Sequence, residues 1–259
     1  MTLICVAAFV ASALTFVSGF GLGTLLTPVF AIFFPLQIAI AATAVVHLAN
    51  NLFKLVLTGR SADWRIAARF GVPATIGALV GAGALVASSG LPALAQYEWA
   101  GEIRRVTFVK VIVGALIVAF ALLESNRRFR SVQVPVRYLQ WGGALAGFFG
   151  GLSGIQGALR SAFLIKAGLE KDAYVATGVV CAVLVDVARL VVYGGSQMLT
   201  LVDTASSDIA AAAMAAVVCA FAGALVGARL LKDLTLRSVR VAVSIMLVGF
   251  GLALATGLL

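Results

Sequence analysis

Long apolar runs recur along this chain, and they limit what it can fold into. Runs of about 20 apolar residues match a hydrocarbon core of roughly 30 Å. We predict six full spans and two shorter runs that each lead into a glycine cluster. Only 11% of the residues are charged, against about 25% in soluble proteins. These features predict one all-α integral membrane domain of about eight hydrophobic segments. The six spans lie near 36–57, 67–88, 106–123, 173–193, 208–228 and 238–257, and the shorter runs are 2–18 and 138–152.

The hexapeptide Gly-Ala-Leu-Val-Gly-Ala occurs twice, at Gly77–Ala82 and at Gly223–Ala228. A motif repeated at about half the chain length predicts two homologous halves, a frequent design of secondary transporters. We place the first membrane repeat at 1–126 and the second at 127–259. Gly and Ala at these positions let membrane helices approach closely, so the hexapeptides themselves are interpreted as packing residues.

The positive charges predict the topology. Fifteen of the 19 Lys and Arg residues fall in four clusters, which the positive-inside rule places in the cytoplasm. The net charge of +9 therefore reflects membrane orientation rather than a nucleic-acid partner. The clusters are Lys54, Arg60, Arg65 and Arg69; Arg127, Arg128, Arg130 and Arg137; Arg160, Lys166 and Lys171; and Arg229, Lys232, Arg237 and Arg240.

Eight simple crossings conflict with this charge pattern. The conflict disappears if 138–168 forms a re-entrant hairpin that turns at Gly147–Gly157 and returns to the cytoplasm. By symmetry, 2–34 turns at Gly19–Gly23, and each return limb has 11 residues, 24–34 and 158–168. Each half then contains a hairpin plus three crossings, so the halves are inverted repeats. The rival model has eight full helices in two parallel halves.

The two glycine clusters are the first candidate site. Glycine breaks a helix and leaves unpaired backbone groups, which membrane proteins tolerate only inside protein or at a cavity. The helix that starts after such a break presents free N–H donors and partial positive charge to an anion. The candidate substrate-binding residues at these breaks are Gly21, Gly23, Thr24, Ser153, Gly154, Gln156 and Gly157.

Charged residues inside the spans extend this site. Arg160 lies one turn beyond Gly157, where it either binds the anion or extends toward the cytoplasm. Asp186 and Arg189 are three residues apart and share a helix face. They form either a structural ion pair or a coupling and gating pair.

His47 is the only histidine, and it lies in a predicted span. It shares one polar stripe with Asn50, Asn51 and Lys54, and we predict that His47 and Asn50 contact the substrate. The cysteines Cys5, Cys181 and Cys219 lack ligand spacing, so we predict neither a disulfide framework nor a metal site. No cofactor is expected.

Several of these motifs together resemble the TauE/SafE-type sulfite exporters. In the first half they are the run from Ser18 to Pro28 and Ala42-Thr43 with His47–Asn51. In the second half they are Gly147–Phe163 and Ala176-Thr177. The resemblance implies a multi-pass permease of the bacterial inner membrane. It implies sulfite, sulfonates such as sulfoacetate, and related small anions as substrates.

The sequence thus predicts a secondary transporter that exposes a small anion alternately to each side, and not an enzyme. Protons are candidate coupling ions, the lipid bilayer is the expected surrounding, and homo-oligomer formation stays open. One alternative is an intramembrane serine protease, because Gly151-Leu152-Ser153-Gly154 fits GxSG. That chemistry needs a histidine base beside the serine. Another alternative is a membrane assembly factor without transport.

Overall fold

Ten α-helices and one β-hairpin make up the part of the chain that the computed structural model describes. That part comprises residues 2–14, 22–88, 90–126, 134–165, 167–195, 206–230 and 237–259. The helices are α1 Thr2–Leu14, α2 Leu22–Phe33, α3 Leu36–Thr58, α4 Trp64–Ser88, α5 Phe108–Ser125, α6 Leu139–Ser153, α7 Gly157–Leu164, α8 Lys171–Gly194, α9 Ser206–Leu230 and α10 Arg237–Ala255. Short 3-10 turns occupy Gly59–Ser61 and Val136–Tyr138, and the strands are β1 Ala95–Trp99 and β2 Glu102–Val106.

Each of the six predicted spans corresponds to one helix, α3, α4, α5, α8, α9 or α10. Four segments of the described chain are long and apolar enough to cross a bilayer by themselves. They are Leu36–Ser61, Trp64–Ser88, Lys171–Gly194 and Ile209–Gly227. Shorter apolar helices are Thr2–Ala13, Leu22–Phe33, Phe108–Leu123 and Val243–Ala255. The protein is therefore a mostly helical, multi-pass membrane protein, as the apolar runs predicted.

The second glycine cluster contains a shorter break than the sequence predicted. Helix α6 continues through Ser153, and the break comprises Gly154, which has a φ of +80°, followed by Ile155 and Gln156. The predicted turn at Gly147–Gly157 is therefore wrong over most of its length. Gly147 and Gly151 are helical and face α4, where a Cβ on either would collide with the backbone carbonyls of Ala74 and Ala78. These glycines serve helix contact.

Helix α7 runs back along α6, so 138–168 contains the predicted helical hairpin. The ring of Phe163, near the end of α7, lies against Gly142, near the start of α6, where a Cβ would overlap it. The return limb has 8 helical residues rather than 11. In the first half, α2 begins at Leu22, so Gly23 and Thr24 lie in its first turn. The predicted first turn falls mainly on 15–21, outside the described residues.

The repeated hexapeptides lie at two backbone-to-backbone helix contacts. Gly77 and Gly81 on α4 face the main chain of α6 at Ala144 and Phe148. Gly223 and Gly227 on α9 face the main chain of α1, at Phe9 and Ala13. A side chain at any of these four glycines would overlap the facing helix, so the interpretation as packing residues is confirmed. Each contact joins a helix of one predicted repeat to a helix of the other.

In the described part of the chain, a two-stranded sheet adds to the predicted all-α fold. Strands β1 and β2 pair antiparallel, with Trp99 opposite Glu102. The two-residue turn between them has positive φ at both Ala100 (56°) and Gly101 (80°), the geometry that matches strand twist in tight hairpins. Tyr97 donates a hydrogen bond to the Thr256 carbonyl at 2.7 Å, which ties the hairpin to the end of α10. The segment carries too few apolar residues for a span.

The α4–α6 contact predicts a difference between two neighbouring glycines. Gly81→Ala should lower the free energy of unfolding by about 1–3 kcal/mol, because its methyl overlaps the backbone of α6. Gly83 has no heavy atom within 4 Å of a built Cβ. Gly83→Ala should therefore leave stability unchanged or raise it by up to about 1 kcal/mol through helix propensity. Thermal unfolding of both purified variants measures this, and equal midpoints would contradict the packing interpretation.

Candidate functional site

A buried carboxylate on α8 organises the polar centre of the protein. Asp186 is 0% exposed, and its Oδ2 lies 2.6 Å from Nδ1 of His47 on α3. Its Oδ1 accepts hydrogen bonds from Arg189, at 2.7 Å from Nη2 and 3.1 Å from Nε. Asp186 and Arg189 face the same side of α8 because three residues make nearly one helical turn. The pairing of Asp186 with Arg189 is confirmed, and His47 joins it.

The same face of α8 contacts the break between α6 and α7. Arg189 Nη1 donates to the Gly150 carbonyl at 3.3 Å, and the hydroxyl of Tyr193 donates to the Gly151 carbonyl. The Gly150 carbonyl also accepts the backbone N–H of Gly154 at 2.9 Å. The two side chains therefore bind near the end of α6 and connect the break to the Asp186 cluster.

Amide side chains complete the cluster around Asp186. Asn51 donates to Oδ2 at 3.3 Å, and Gln156, within the break, lies 3.5 Å from Oδ1. Asn50 points elsewhere, because its Oδ1 accepts a hydrogen bond from Ser12 on α1 at 3.1 Å. The predicted polar stripe on α3 therefore divides, with His47 and Asn51 facing α8 and Asn50 facing α1.

The two predicted breaks approach each other beside this cluster. A Cβ built on Gly23 would lie 2.7 Å from the Gly154 carbonyl oxygen and 3.8 Å from Cγ2 of Thr43. A Cβ on Gly154 would lie 3.2 Å from Arg189 Nη1 and 3.4 Å from Thr27 Oγ1. The start of α2 and the end of α6 thus touch through glycine backbone. Gly21 lies outside the described residues.

Three threonine hydroxyls are buried in this region. Thr24, Thr27 and Thr43 are 1%, 0% and 0% exposed, and none of their Oγ1 atoms has a hydrogen-bond partner among the described residues. A buried hydroxyl without a partner costs free energy, and it is a donor suited to a bound anion. We call Thr24, Thr27 and Thr43, together with Gly23 and Gly154, the tip site.

Thr27 and Thr43 were not among the predicted binding residues, whereas Thr24 was. Thr27 lies three residues after Thr24, on the same face of a helix that begins beside a glycine cluster. That spacing was a signal available in the sequence. The approach of Thr43 to Gly23 depends on how α2 and α3 pack, and no local pattern indicates it.

Ser153 supports the end of α6. Its hydroxyl donates to the Phe149 carbonyl at 2.8 Å and lies 3.4 Å from the Ile155 amide, which donates to it. His47 makes its hydrogen bonds with Asp186 and Asn51. The described contacts thus contain no Ser153–His47 hydrogen bond of the kind that a serine nucleophile uses.

Arg160, on α7, lies against α8. Its Nε would be 3.7 Å from a Cβ on Gly178, and it is an electrostatic neighbour of His47, Lys54 and Cys181. Its Nη1 is buried and has no hydrogen-bond partner in the described part of the chain. Gly157 is the first residue of α7, so its N–H is among the free donors of that helix.

A family model matches this chain. The model described as "Sulfite exporter TauE/SafE" matches residues 4–254, nearly the whole chain. The chain belongs to the TauE/SafE family. Membership, with the apolar helices, makes it a multi-pass membrane transporter protein of the sulfite exporter type. Comparisons with curated proteins and with solved structures gave no match.

The Asp186 cluster predicts a large effect from a small substitution. Asp186→Asn leaves the buried guanidinium of Arg189 without its counter-ion, which should cost about 3–5 kcal/mol of stability. The matched control is Asp172→Asn, in the exposed first turn of the same helix, which should cost at most about 1 kcal/mol because only its interaction with the helix N-terminus is weakened. Unfolding midpoints in detergent compare the two, and equal midpoints would contradict a structural role for the cluster.

Proposed function

We propose that this member of the family is a secondary transporter of small sulfur-containing or organic anions, such as sulfite or sulfonates including sulfoacetate. The observation that carries the proposal is the tip site. It contains three buried hydroxyls without protein partners among the described residues, and one of them, Thr27 Oγ1, lies beside Gly154 together with the guanidinium of Arg189. Hydroxyl and guanidinium groups are donors, and donors converging on one place favour an anion.

The balance of buried charge also favours an anion. Two ion pairs are found in the described part of the chain, and both use the single carboxylate of Asp186. Arg189 lies in this centre, and Arg160 is an electrostatic neighbour of His47, so the cationic side chains outnumber the carboxylate. Excess positive charge inside a membrane protein is costly unless a partner neutralises it. A negatively charged substrate supplies that partner.

Alternating access between two inverted repeats, 1–126 and 127–259, is the mechanism we propose. The reciprocal glycine contacts support it, because α4 packs on α6 while α9, which carries the second hexapeptide, packs on α1. A two-fold relation between the halves would produce this exchange of partners. The substrate would lie where the two glycine breaks meet, in the inner membrane of a bacterium.

We propose that Asp186, His47 and Arg189 couple or gate this transport. The 2.6 Å contact with the carboxylate assigns the Nδ1 proton to His47, so Nε2 is the nitrogen that can gain a second proton. Protonation would give Asp186 two cationic partners and weaken its hold on Arg189. Since Arg189 also binds the Gly150 carbonyl, such a change would reach the break at α6.

The alternatives find less support in the geometry. A GxSG protease would need His47 within hydrogen-bond reach of Ser153, whereas both side chains are engaged elsewhere. An assembly factor without transport would have no need for buried donors that lack protein partners. A transported anion accounts for the buried donors that lack protein partners, and it needs no hydrogen bond between Ser153 and His47.

Transport assays with purified protein in liposomes test the proposed function. Thr43→Val removes one donor from the tip site and should lower kcat/KM for sulfite by about 10- to 100-fold, the usual effect of losing a hydrogen bond to a charged ligand. The matched control is Thr75→Val, because Thr75 bonds within its own helix, to the Gly71 carbonyl at 2.9 Å. Absence of sulfite and sulfonate flux in the wild-type protein would refute the proposal, and equal kinetics of the two variants would remove Thr43 from the site.

The inverted arrangement predicts where Glu170 lies. In a background without the native cysteines Cys5, Cys181 and Cys219, Glu170→Cys should react with an impermeant thiol reagent only from the cytoplasm. Glu98→Cys, on β1, should react only from outside. Eight simple crossings would place both positions outside, so external labelling of Glu170→Cys would favour parallel halves. Ser196, another diagnostic position for the topology, lies outside the described residues.

A further inference from the structure

The contact between α1 and α9 keeps one register from turn to turn. A Cβ on Gly223 would lie 3.0 Å from the Cα of Phe9, and a Cβ on Gly227 would lie 2.8 Å from the Cα of Ala13. Residue numbers rise together along the two helices, so the helices run parallel. A carbon–carbon bond adds about 1.5 Å, so the Cα atoms of each pair are at most about 4.5 Å apart. The two distances are nearly equal, so the helices diverge little over this turn.

One turn earlier on both helices, this register places Cys219 opposite Cys5. Four residues separate Cys219 from Gly223, and four separate Cys5 from Phe9, so both thiols stay near the contact face. The two thiols are also hydrogen-bond neighbours. A disulfide usually joins residues whose Cα atoms are about 4.4–6.8 Å apart, a range that helices packed this closely reach.

Both members of this pair are free thiols that lie within the membrane. Cys5 and Cys219 are half-buried, whereas the third cysteine, Cys181, is buried beside the Ala67 carbonyl on α4. The pair lies in the apolar stretches Thr2–Ala13 and Ile209–Gly227. A reagent must therefore dissolve in the bilayer to reach it. The spacing of the cysteines in the sequence did not indicate this pair, because the packing of α1 on α9 creates it.

We propose that Cys5 and Cys219 are a modification site that closes to a disulfide and joins α1 to α9. The oxidant is a lipid-soluble acceptor of two electrons and two protons, of the azo or quinone class. With an azo compound, the first thiol adds across the N=N bond and forms an S–N bond. The second thiol then attacks that sulfur, so the S–S bond forms and the S–N bond breaks. The hydrazine that leaves carries both electrons and both protons.

The disulfide connects the two halves of the chain covalently. Helix α1 belongs to the predicted repeat 1–126, and α9 belongs to the predicted repeat 127–259. Ser12, two turns after Cys5, donates a hydrogen bond to Asn50, so α1 also contacts the helix that carries His47. The effect on transport rests on the proposed function. Because alternating access moves the repeats against each other, a bond between α1 and α9 stops that motion.

Diamide, a membrane-permeant azo compound, tests the site in a Cys181→Ser chain with a protease site inserted between Asn126 and Val134. After oxidation and cleavage in membranes, the two fragments should run as one full-length band on a non-reducing denaturing gel. A reducing gel should separate them. Before cleavage the chain should run as a monomer, which shows that the bond lies within one chain. Cys5→Ser should abolish the joined band.

The matched control moves the thiol by one position on α9. In a Cys219→Ser background, Val218→Cys places the thiol about 100° away around the helix, at a position that is 64% exposed. Diamide reaches this thiol at least as easily, so its failure to join Cys5 would show that orientation decides the reaction. Two results would overturn the site. They are separate fragments from the chain with Cys5 and Cys219, and equal joining through Val218→Cys.

Flux into liposomes measures the effect on transport in the uncleaved chain. Sulfoacetate is the anion, because sulfite itself cleaves disulfides. Flux should fall in proportion to the joined fraction, recover on reduction, and stay unchanged in diamide-treated Cys5→Ser. Unchanged flux at complete joining would overturn the effect on transport and would mean that α1 and α9 move as one body. Absence of sulfoacetate and sulfite flux from the untreated protein would refute the proposed function, whereas the gel decides the disulfide independently of transport.

Discussion

The carboxylate of Asp186 connects helices that are far apart in the sequence. It bonds to His47 on α3 and to Arg189 on its own helix, and Arg189 continues to the Gly150 carbonyl on α6. A buried carboxylate is stable only when its charge and its hydrogen-bonding capacity are satisfied, and these partners do both. The positions of α3, α8 and the α6–α7 break therefore depend on one another through this group.

Glycine packing provides the surrounding frame. Helix α4 contacts α6, and α9 contacts α1, through glycines whose missing side chains let backbone meet backbone. In a membrane there is little hydrophobic drive for helix association, so close van der Waals contact of this kind supplies much of it. Helix α2 follows the first glycine cluster, and helix α6 ends at the second. Within this frame the start of α2 meets the end of α6. There, Gly23 and Gly154 touch, and three threonine hydroxyls are enclosed.

The polar centre inside this frame has an imbalance of charge and of hydrogen-bond donors. The polar centre combines one carboxylate with several cations and with donors that have no protein partner. That imbalance suits an anionic ligand, and it agrees with membership of the TauE/SafE family.

The sequence by itself determined the class of fold, all six long helices, the second hairpin and the pairing of Asp186 with Arg189. Each of these follows from local hydropathy, charge or helical spacing. Tertiary structure decided that Gly147 and Gly151 stay helical, that Asn50 turns to α1, and that the segment 95–106 forms a β-hairpin. It also placed Thr27 and Thr43 in the tip site. The reason is physical: whether a glycine breaks a helix or packs against one, and which polar groups meet, depends on neighbours distant in sequence. Glycine runs permit both outcomes, and only the facing helix selects between them.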